Sequence, residues 1–265
     1  MRYARQRKRE LEMQDLYIRE ERFGKPFVGK TKNVVESYPK PMFIFNFEPS
    51  GLRSVKGIIL NEIKLSEFLR IQEPHEIPEV CYSNYVSTAR ITSAVAPTYS
   101  GDLFQRFIDD LILILENCPF TTVVLDGLSG VNEAAIRQFG AMNPKLALDA
   151  RSWAGSVGAK IQEVVAALFS LSIPVVVVIA HDTTRVNEIT GETQTLPMIA
   201  STQAREKIGS LATHFLYATT EFDAKGETTY VVYTMPKGLI KGIGTRDNLP
   251  AVCGARFEDI YGKSP

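Results

Sequence analysis

The stretch 24-GKPFVGKT-31 has the residue types and spacing of a loop that binds phosphate, G-x-x-x-x-G-K-[ST]. Its glycines allow the backbone to curl so that N–H groups point at phosphate oxygens. Lys30 would reach the β- and γ-phosphates of a nucleotide, and Thr31 would place its hydroxyl on Mg²⁺. The stretch therefore predicts a nucleotide site formed by Gly24, Lys25, Pro26, Phe27, Val28, Gly29, Lys30, Thr31 and Lys32.

Three short apolar segments are the best candidates for the strands that support this loop. They are near-continuous runs of β-branched or aromatic residues, too short for buried helices, which is typical of buried parallel strands. The segments are 42-MFIFNF-47, 121-TTVVLD-126 and 174-PVVVVIAH-181. Each has a polar or acidic residue at or just past its carboxyl end, the edge at which open α/β sheets bind ligands.

The polar residues at these strand ends suggest three roles. Asp126 could complete the coordination of Mg²⁺, although a carboxylate before Gly127 could also be a turn or cap residue. Glu48 could polarise a water molecule for attack on a γ-phosphate, or be a solvated loop residue. His181 could sense the γ-phosphate, although a single histidine is more often structural.

The residues just before the loop, 16-LYIREERF-23, fit the motif poorly, because a phosphate loop normally follows an apolar buried strand. The stretch contains four consecutive charged residues, Arg19, Glu20, Glu21 and Arg22. In one interpretation the strand lies at a sheet edge, solvated on one face, with Leu16, Ile18 and Phe23 facing inward. In the other, the loop is degenerate and the protein is structural.

Helical patterns separate the predicted strands. Apolar residues at helical spacing predict helices over 102–117 and 151–171, and a weaker pattern predicts one over 62–71. The alternation of helices and strands favours right-handed crossovers and a parallel sheet. Near the end, 213–222 and 228–236 are joined by 223-DAKGE-227, which is typical of an antiparallel hairpin. The predicted fold is α/β, a mostly parallel sheet with helices on both faces and a C-terminal hairpin extending it.

Composition limits the class of protein. The 265 residues suit a single domain, with 30 basic and 30 acidic residues giving no overall preference for an acidic or nucleic-acid partner. Residues 1–15 are predicted to form a basic arm, which could contact phosphate groups or be a solvated terminus. Three distant cysteines show neither a disulfide framework nor a metal pattern, which favours a reducing cytosol. The start has no apolar signal region, and 173-IPVVVVIA-180 is too short to span a membrane.

The ordered series of motifs resembles RecA-like ATPases, and specifically phage-type single-strand annealing or recombination ATPases (the Sak type) and related AAA-family proteins. The likeness covers residues 24–250 and rests on GKPFVGKT at 24–31, YPKPMFIFNFEPSG at 38–51, VVLDGLS at 123–129, Trp153, PVVVVIAHD at 174–182 and KGIGTRDNLP at 241–250. Asn46 departs from the family, in which aspartate is frequent at this position.

The resemblance implies one ATPase domain over 16–265, with a possible inserted element in 55–118, that uses ATP and Mg²⁺. It implies Glu48 as catalytic base, with Lys30 and His181 as further catalytic residues, Asp126 as the Walker B acid, and Thr31 on the metal. Lys241 and Arg246 would act in trans on the nucleotide of a neighbouring subunit in a ring or filament.

The resemblance further implies single-stranded DNA as partner, bound by loops after two of the strands. The candidate residues are Arg137, Lys145 and Arg151 in 127–152, and Arg185 in 182–197. A single-strand binding or replication protein is a further expected partner, in the cytoplasm of a bacterial host if a phage encodes the chain. Two alternatives stay open: an ATPase that loads or remodels a protein partner, and a nucleotide-gated scaffold with weak hydrolysis.

Overall fold

A computed structural model describes residues 17–48, 50–71, 77–86, 102–142, 150–186, 191–199, 201–222 and 225–262. The strands are β1 Ile18–Gly24, β2 Met42–Asn46, β3 Asn61–Glu62, β4 Val80–Asn84, β5 Thr122–Asp126, β6 Val175–Val186, β7 Thr193–Pro197, β8 His214–Phe222, β9 Thr228–Tyr233, β10 Gly244–Thr245 and β11 Val252–Gly254. The helices are α1 Lys30–Ser37, α2 Leu65–Ile71, α3 Asp102–Glu116, α4 Leu128–Met142, α5 Ala150–Phe169, α6 Thr202–Leu211 and α7 Phe257–Tyr261. The basic arm and Lys145 lie outside the described residues.

One mixed sheet organises these elements, in the order β11-β9-β8-β1-β6-β5-β2-β4-β3. The strands from β8 to β3 pair in parallel, whereas β9 and β11 add to the β8 edge in antiparallel orientation. Apolar residues of α3, α4, α5 and α6 pack on one face, and those of α1 and α7 on the other. The predicted fold class is confirmed, including the hairpin of β8 and β9.

Region 55–118 extends the sheet on its other side. After a short 3-10 helix at Leu52–Ser54, the chain forms β3, α2 and β4, and β4 pairs with β2 while β3 forms the edge. The described part of this region is therefore continuous with the sheet. Within the described residues, no helix has the length and apolar character needed to cross a membrane.

The charged strand β1 is central, and the prediction that it lies at a sheet edge is wrong. It pairs in parallel with β6 on one side and β8 on the other, and all of its residues are buried. The prediction failed because it assumed that four consecutive charges need solvent. In the folded chain, three of these charged side chains are satisfied by groups that are distant in sequence.

Glu20 and Arg22 form a buried ion pair on the α1 face of β1, with 2.6 Å between Arg22 Nε and Glu20 Oε1. Arg22 also donates to the Tyr38 hydroxyl at 2.5 Å and to the Ala255 carbonyl at 3.0 Å. The Tyr261 hydroxyl donates to Glu20 Oε2 at 2.6 Å. Burial lowers the pKa of Arg22, but the Glu20 carboxylate, Tyr38 and Tyr261 together outweigh it, so that this pKa is raised overall. The network ties α7 to the centre of the sheet.

Arg19 lies on the opposite face and caps the end of α5. Its Nε donates to the Phe169 carbonyl at 2.7 Å and its Nη2 to the Leu171 carbonyl at 2.5 Å. The last carbonyls of a helix have no partner within the helix and carry partial negative charge. Arg19 therefore satisfies groups that α5 leaves free inside the protein.

Glu21 shares the Arg19 face and is buried in the main apolar core. Neither of its carboxylate oxygens has a hydrogen-bond partner among the described residues. Burial raises its pKa to about 8. The residue is therefore protonated in the folded protein at neutral pH, although it ionises near pH 4.5 in an unfolded chain.

Glu21 makes a pH-dependent contribution to stability. Between pH 4.5 and 8 the folded state holds a proton that the unfolded state has lost, so stability decreases as pH rises. Relative to Glu21→Gln, we expect wild type to lose about 1.4 kcal/mol of unfolding free energy per pH unit in this window. Urea unfolding at pH 5, 6, 7 and 8 measures it. The exposed Glu67→Gln serves as control, and parallel profiles for wild type and Glu21→Gln would contradict the assignment.

Candidate active site

The carboxyl ends of four parallel strands converge at one edge of the sheet. β1 ends at Gly24, β5 at Asp126, β2 leads into Glu48, and β6 presents His181. They surround a cavity of about 350 Å³, within the range of small-molecule pockets. The lining residues are Pro26, Phe27, Gly29, Lys30, Thr31, Lys32, Glu48, Ser50, Gly51, Ser54, Asp126, Gly127, Ile179, Ala180, His181 and Tyr230.

The loop between β1 and α1 needs glycine at both of its motif positions. A Cβ on Gly24 would lie 2.2 Å from the Ala218 carbonyl oxygen, and one on Gly29 would lie 2.8 Å from the Tyr230 ring. Gly29 has a φ of 71° and precedes the first residue of α1. The free N–H groups of α1 therefore face the cavity, which suits a phosphate group. Phe27 also has a positive φ, 63°, and is 91% exposed.

Lys30 lies folded over this loop. Its Nζ donates to the carbonyls of Gly24 at 2.8 Å and Lys25 at 2.6 Å. Burial lowers its pKa to about 8, partly offset by the carboxylates of Asp126 and two other acidic residues. The ammonium is held at the cavity wall by neutral carbonyl groups, and a phosphate would offer it a charged acceptor there.

Thr31 and Asp126 form the second part of the site. The Thr31 hydroxyl lies 2.9 and 3.0 Å from the two carboxylate oxygens of Asp126, which is buried. Burial raises the pKa of Asp126 to about 7. A hydroxyl and a carboxylate are oxygen ligands of the kind that Mg²⁺ prefers. A Cβ on Gly51 would lie 2.4 Å from Asp126 Oδ2, so glycine keeps this carboxylate accessible. These residues fit a magnesium ion.

Glu48 and His181 form the third part, at the mouth of the cavity. His181 Nε2 lies 2.7 Å from Glu48 Oε2, and the Ser50 hydroxyl donates to Glu48 Oε1 at 2.9 Å. The hydrogen bond from His181 lowers the pKa of Glu48 more than its partial burial raises it. The carboxylate is therefore ionised at neutral pH, as a group that accepts a proton must be.

The structure thus brings together the residues that the sequence selected for nucleotide chemistry: Lys30, Thr31, Glu48, Asp126 and His181 all line one cavity.

Lys241 and Arg246 are exposed and are not among the described residues that line the cavity. Arg246 donates its N–H to the Thr213 carbonyl, next to the start of β8 and therefore far from the loop at the end of β1. Lys241 follows Ile240, which bridges to Thr195 of β7.

The DNA-binding candidates were expected in loops, but the described parts of both segments are helix or paired strand. The chain after Asp126 forms helix α4, and Arg137 on it pairs with Glu133 at 3.4 Å. The chain after His181 continues as β6 and returns as β7, which places the exposed Arg185 on a strand. Both segments hydrogen-bond locally, which the polar sequence did not reveal. The side chain of Arg151, in α5, lies outside the described residues, as does Lys145.

Tyr230 is a wall of the cavity that the sequence did not single out. Its ring lies against Gly29 and 5.8 Å from Lys32 Nζ. Tyr230 belongs to β9, about 200 residues after the loop, and only the pairing of β9 with β8 and of β8 with β1 brings it there. The run 228-TTYVVY-233 predicts a strand, but nothing in it indicates that Tyr230 faces the loop.

Comparison with known proteins assigns most of the chain to one family. Residues 22–242 match the model of the AAA_24 family, described as an AAA domain. A KaiC-like protein from Pyrococcus horikoshii OT3 is similar over 82% of this chain and 78% of its own, with 11% identity and a TM-score of 0.39. An ATPase from the type III secretion system of pathogenic bacteria is similar over 77% of this chain and 51% of its own, with 9% identity and a TM-score of 0.44.

A search of curated protein sequences gave no match. The matched residues make up most of the chain and include Lys30, Glu48, Asp126 and His181. The chain belongs to the AAA_24 family of AAA-domain P-loop ATPases.

Proposed function

We propose that the protein hydrolyses ATP with Mg²⁺ and uses the reaction to act on single-stranded DNA. The observation that carries the ATPase assignment is the Glu48–His181 pair, which lies at the mouth of the cavity that Lys30, Thr31 and Asp126 also line. An ionised carboxylate held at this position suits the activation of water. The position of this pair also argues against a purely structural protein.

Each side chain has a distinct task in the proposed reaction. Lys30 leaves its two carbonyl partners and neutralises charge on the β- and γ-phosphates. Glu48 accepts a proton from water as the water oxygen bonds to the γ-phosphorus and the bond to the β–γ bridging oxygen breaks. His181 orients Glu48. Thr31 and Asp126 would hold Mg²⁺, which would supply neutralising charge at the phosphates.

Lys30→Ala tests nucleotide binding directly. Among the described residues that line the cavity, Lys30 and Lys32 are the two lysines, and the Lys30 ammonium is bound to the loop carbonyls. We therefore expect Lys30→Ala to lower the rate of ATP hydrolysis by about 10²–10³-fold. Phosphate release measures turnover, and titration of a fluorescent ATP analogue measures affinity. Lys64→Ala, at an exposed position, is the matched control. Equal turnover in wild type and Lys30→Ala would point to a nucleotide-gated scaffold or a contaminating ATPase.

Action in trans requires a second copy of the chain. We propose a homo-oligomer, a ring or filament, in which Lys241 and Arg246 of one subunit approach the nucleotide of the next. Their exposure supports this, because cations aimed at a γ-phosphate across an interface stabilise the transition state only after assembly. Arg246 lies beside the start of β8, away from the loop at the end of β1, which makes Lys241 the stronger candidate.

For the nucleic-acid partner, the hairpin of β6 and β7 provides the support. The hairpin continues β6, the strand that carries His181. A movement of His181 when the nucleotide is hydrolysed would therefore be passed along β6 to Arg185. We propose that this hairpin contacts single-stranded DNA in phage-type recombination, annealing or replication, in the cytoplasm of a bacterial host. Fluorescence anisotropy with an oligonucleotide, with and without ATP, should show salt-dependent binding that Arg185→Ala weakens.

A protein partner is the second candidate for the same hairpin. Val186 at the far end of β6 and Met198 just after β7 are about half exposed or more, which suits an apolar contact better than a phosphate backbone. If anisotropy shows no salt-dependent DNA binding in either condition, and a replication protein stimulates ATP hydrolysis, the loading or remodelling function replaces the DNA-binding one.

A further inference from the structure

Outside the cavity, a chain of polar side chains connects the backbone of Glu48 with the outer edge of the sheet. The Glu48 N–H donates to Asn46 Oδ1 at 3.3 Å, and Asn46 Nδ2 donates to Asn84 Oδ1 at 2.6 Å. Asn84 Nδ2 in turn donates to Glu62 Oε1 at 2.8 Å. These residues stand on three neighbouring strands, β2, β4 and β3.

The direction of this chain is fixed at its outer end. A carboxylate only accepts hydrogen bonds, whereas an amide side chain has one donating and one accepting end. Glu62 therefore requires Asn84 to turn its NH₂ outward and its carbonyl inward. Asn46 must then turn its NH₂ to Asn84, which leaves its carbonyl for the Glu48 N–H. The exposed carboxylate of Glu62 thus fixes the orientation of both amide side chains, and through them the hydrogen bond that the Glu48 N–H makes.

The inner end of the chain is rigid. Asn46 is buried and lies in register between Asp126 of β5 and Asn84 of β4. Its backbone carbonyl accepts from the Tyr85 N–H at 2.8 Å, and the Phe47 N–H donates to the Asp126 carbonyl at 2.8 Å. A residue whose backbone is held on both sides in this way presents its side chain in a defined direction where the chain leaves β2.

We propose that Glu62, Asn84 and Asn46 are positioning residues for ATP hydrolysis, and that the carboxylate of Glu62 sets the direction of a hydrogen-bond chain that orients Glu48. The inference rests on the proposed role of Glu48 as the base. It also accounts for asparagine at position 46: a carboxylate there has no hydrogen to offer Asn84 while residue 62 is also a carboxylate.

The test uses Asn46→Asp alone and together with Glu62→Gln. In Asn46→Asp, Asn84 must turn its NH₂ inward, so its carbonyl faces the Glu62 carboxylate. Glutamine at position 62 can donate to that carbonyl and relieves the conflict. A glutamate-to-glutamine change at the exposed Glu67 cannot do so and is the matched control.

We expect Asn46→Asp to lower kcat about tenfold with nucleotide affinity within about twofold of wild type, since the hydrogen-bond chain loses its bond between Asn84 and Glu62. Adding Glu62→Gln should restore kcat to within about threefold of wild type, whereas adding Glu67→Gln should leave it low. Thermal unfolding is measured for every variant. Restoration by a second change that lies outside the cavity is a readout that a merely structural role would not give.

A substitution at the exposed Glu62 gives a second test, which does not depend on whether a protein changed at Asn46 remains stable. Glu62→Lys places a donor at the outer end and reverses the preferred direction of both amides. We expect a loss of kcat of about threefold or more, with unchanged nucleotide affinity, whereas the equal charge change Glu67→Lys has no effect.

The outcomes separate the two proposals. If wild type hydrolyses ATP and Lys30→Ala does not, but Glu62→Gln fails to restore Asn46→Asp and Glu62→Lys equals Glu67→Lys, the positioning chain is overturned while the ATPase proposal stands. If wild type and Lys30→Ala are equally inactive, the ATPase proposal fails, and the role assigned to Glu62, Asn84 and Asn46 fails with it.

Discussion

Glu48→Gln is expected to lower kcat for ATP hydrolysis by about 10²–10⁴-fold, which is about 3–5 kcal/mol of transition-state stabilisation. Glutamine keeps the size of the side chain, and its amide oxygen can accept from His181 while its NH₂ donates to the Ser50 hydroxyl oxygen, but it cannot take a proton from water. Affinity for ATP should remain within about threefold of wild type, since the phosphates are held by Lys30 and the loop. Phosphate release under saturating Mg²⁺ and ATP measures the change.

The control for this substitution is Glu67→Gln, a change of the same chemical kind on the exposed face of α2. It should match wild type in both turnover and affinity. Turnover by Glu48→Gln above about a third of the wild-type rate, well outside the range for loss of a general base, would mean that another group accepts the proton. A parallel loss of affinity would instead mean that Glu48 shapes the nucleotide site.

Arg22→Leu is expected to lower the free energy of unfolding by about 3–5 kcal/mol, because it leaves the Glu20 carboxylate buried without its counter-charge. That is a large part of the 5–15 kcal/mol typical of a domain of this kind. The substitution also removes the hydrogen bonds to Tyr38 and the Ala255 carbonyl. Urea unfolding at pH 7 measures the loss, with Arg70→Leu at an exposed position as the control.

A double substitution identifies the cause. With Glu20→Gln added to Arg22→Leu, no buried charge remains, and the amide oxygen can accept from one of the two tyrosine hydroxyls. We expect this double variant to recover about half or more of the lost stability. If Arg22→Leu alone remains within about 1 kcal/mol of wild type, the pair contributes little to stability.

The sequence was sufficient for the parts of the site that depend on local pattern. The loop GKPFVGKT requires its glycines for reasons of backbone shape, and Glu48, Asp126 and His181 follow apolar runs that form buried parallel strands. Since the carboxyl ends of parallel strands meet at one edge, their convergence could be predicted without coordinates. Tyr230 could not, because its place in the cavity depends on which strand pairs with β8.

The position of the charged strand β1 in the sheet could not be predicted from the sequence pattern. By itself, Ile18–Gly24 is too polar for the centre of a sheet, and the sequence indicated an edge or a degenerate loop. Its charges are satisfied by partners that lie close only after folding: Phe169 and Leu171 for Arg19, and Tyr38 and Tyr261 for the Glu20–Arg22 pair. No periodicity within the strand reveals partners as distant as 241 residues along the chain.

The sequence by itself determined the fold class, the phosphate loop and the acidic strand ends, because each depends on residue types over a few neighbouring positions. Only the tertiary structure decided that β1 is central, that the described parts of the candidate DNA-binding segments form helix and paired strands, and that Asn46, Asn84 and Glu62 are linked. These features depend on strand order and on hydrogen bonds between distant segments, and local sequence does not specify which segments become neighbours.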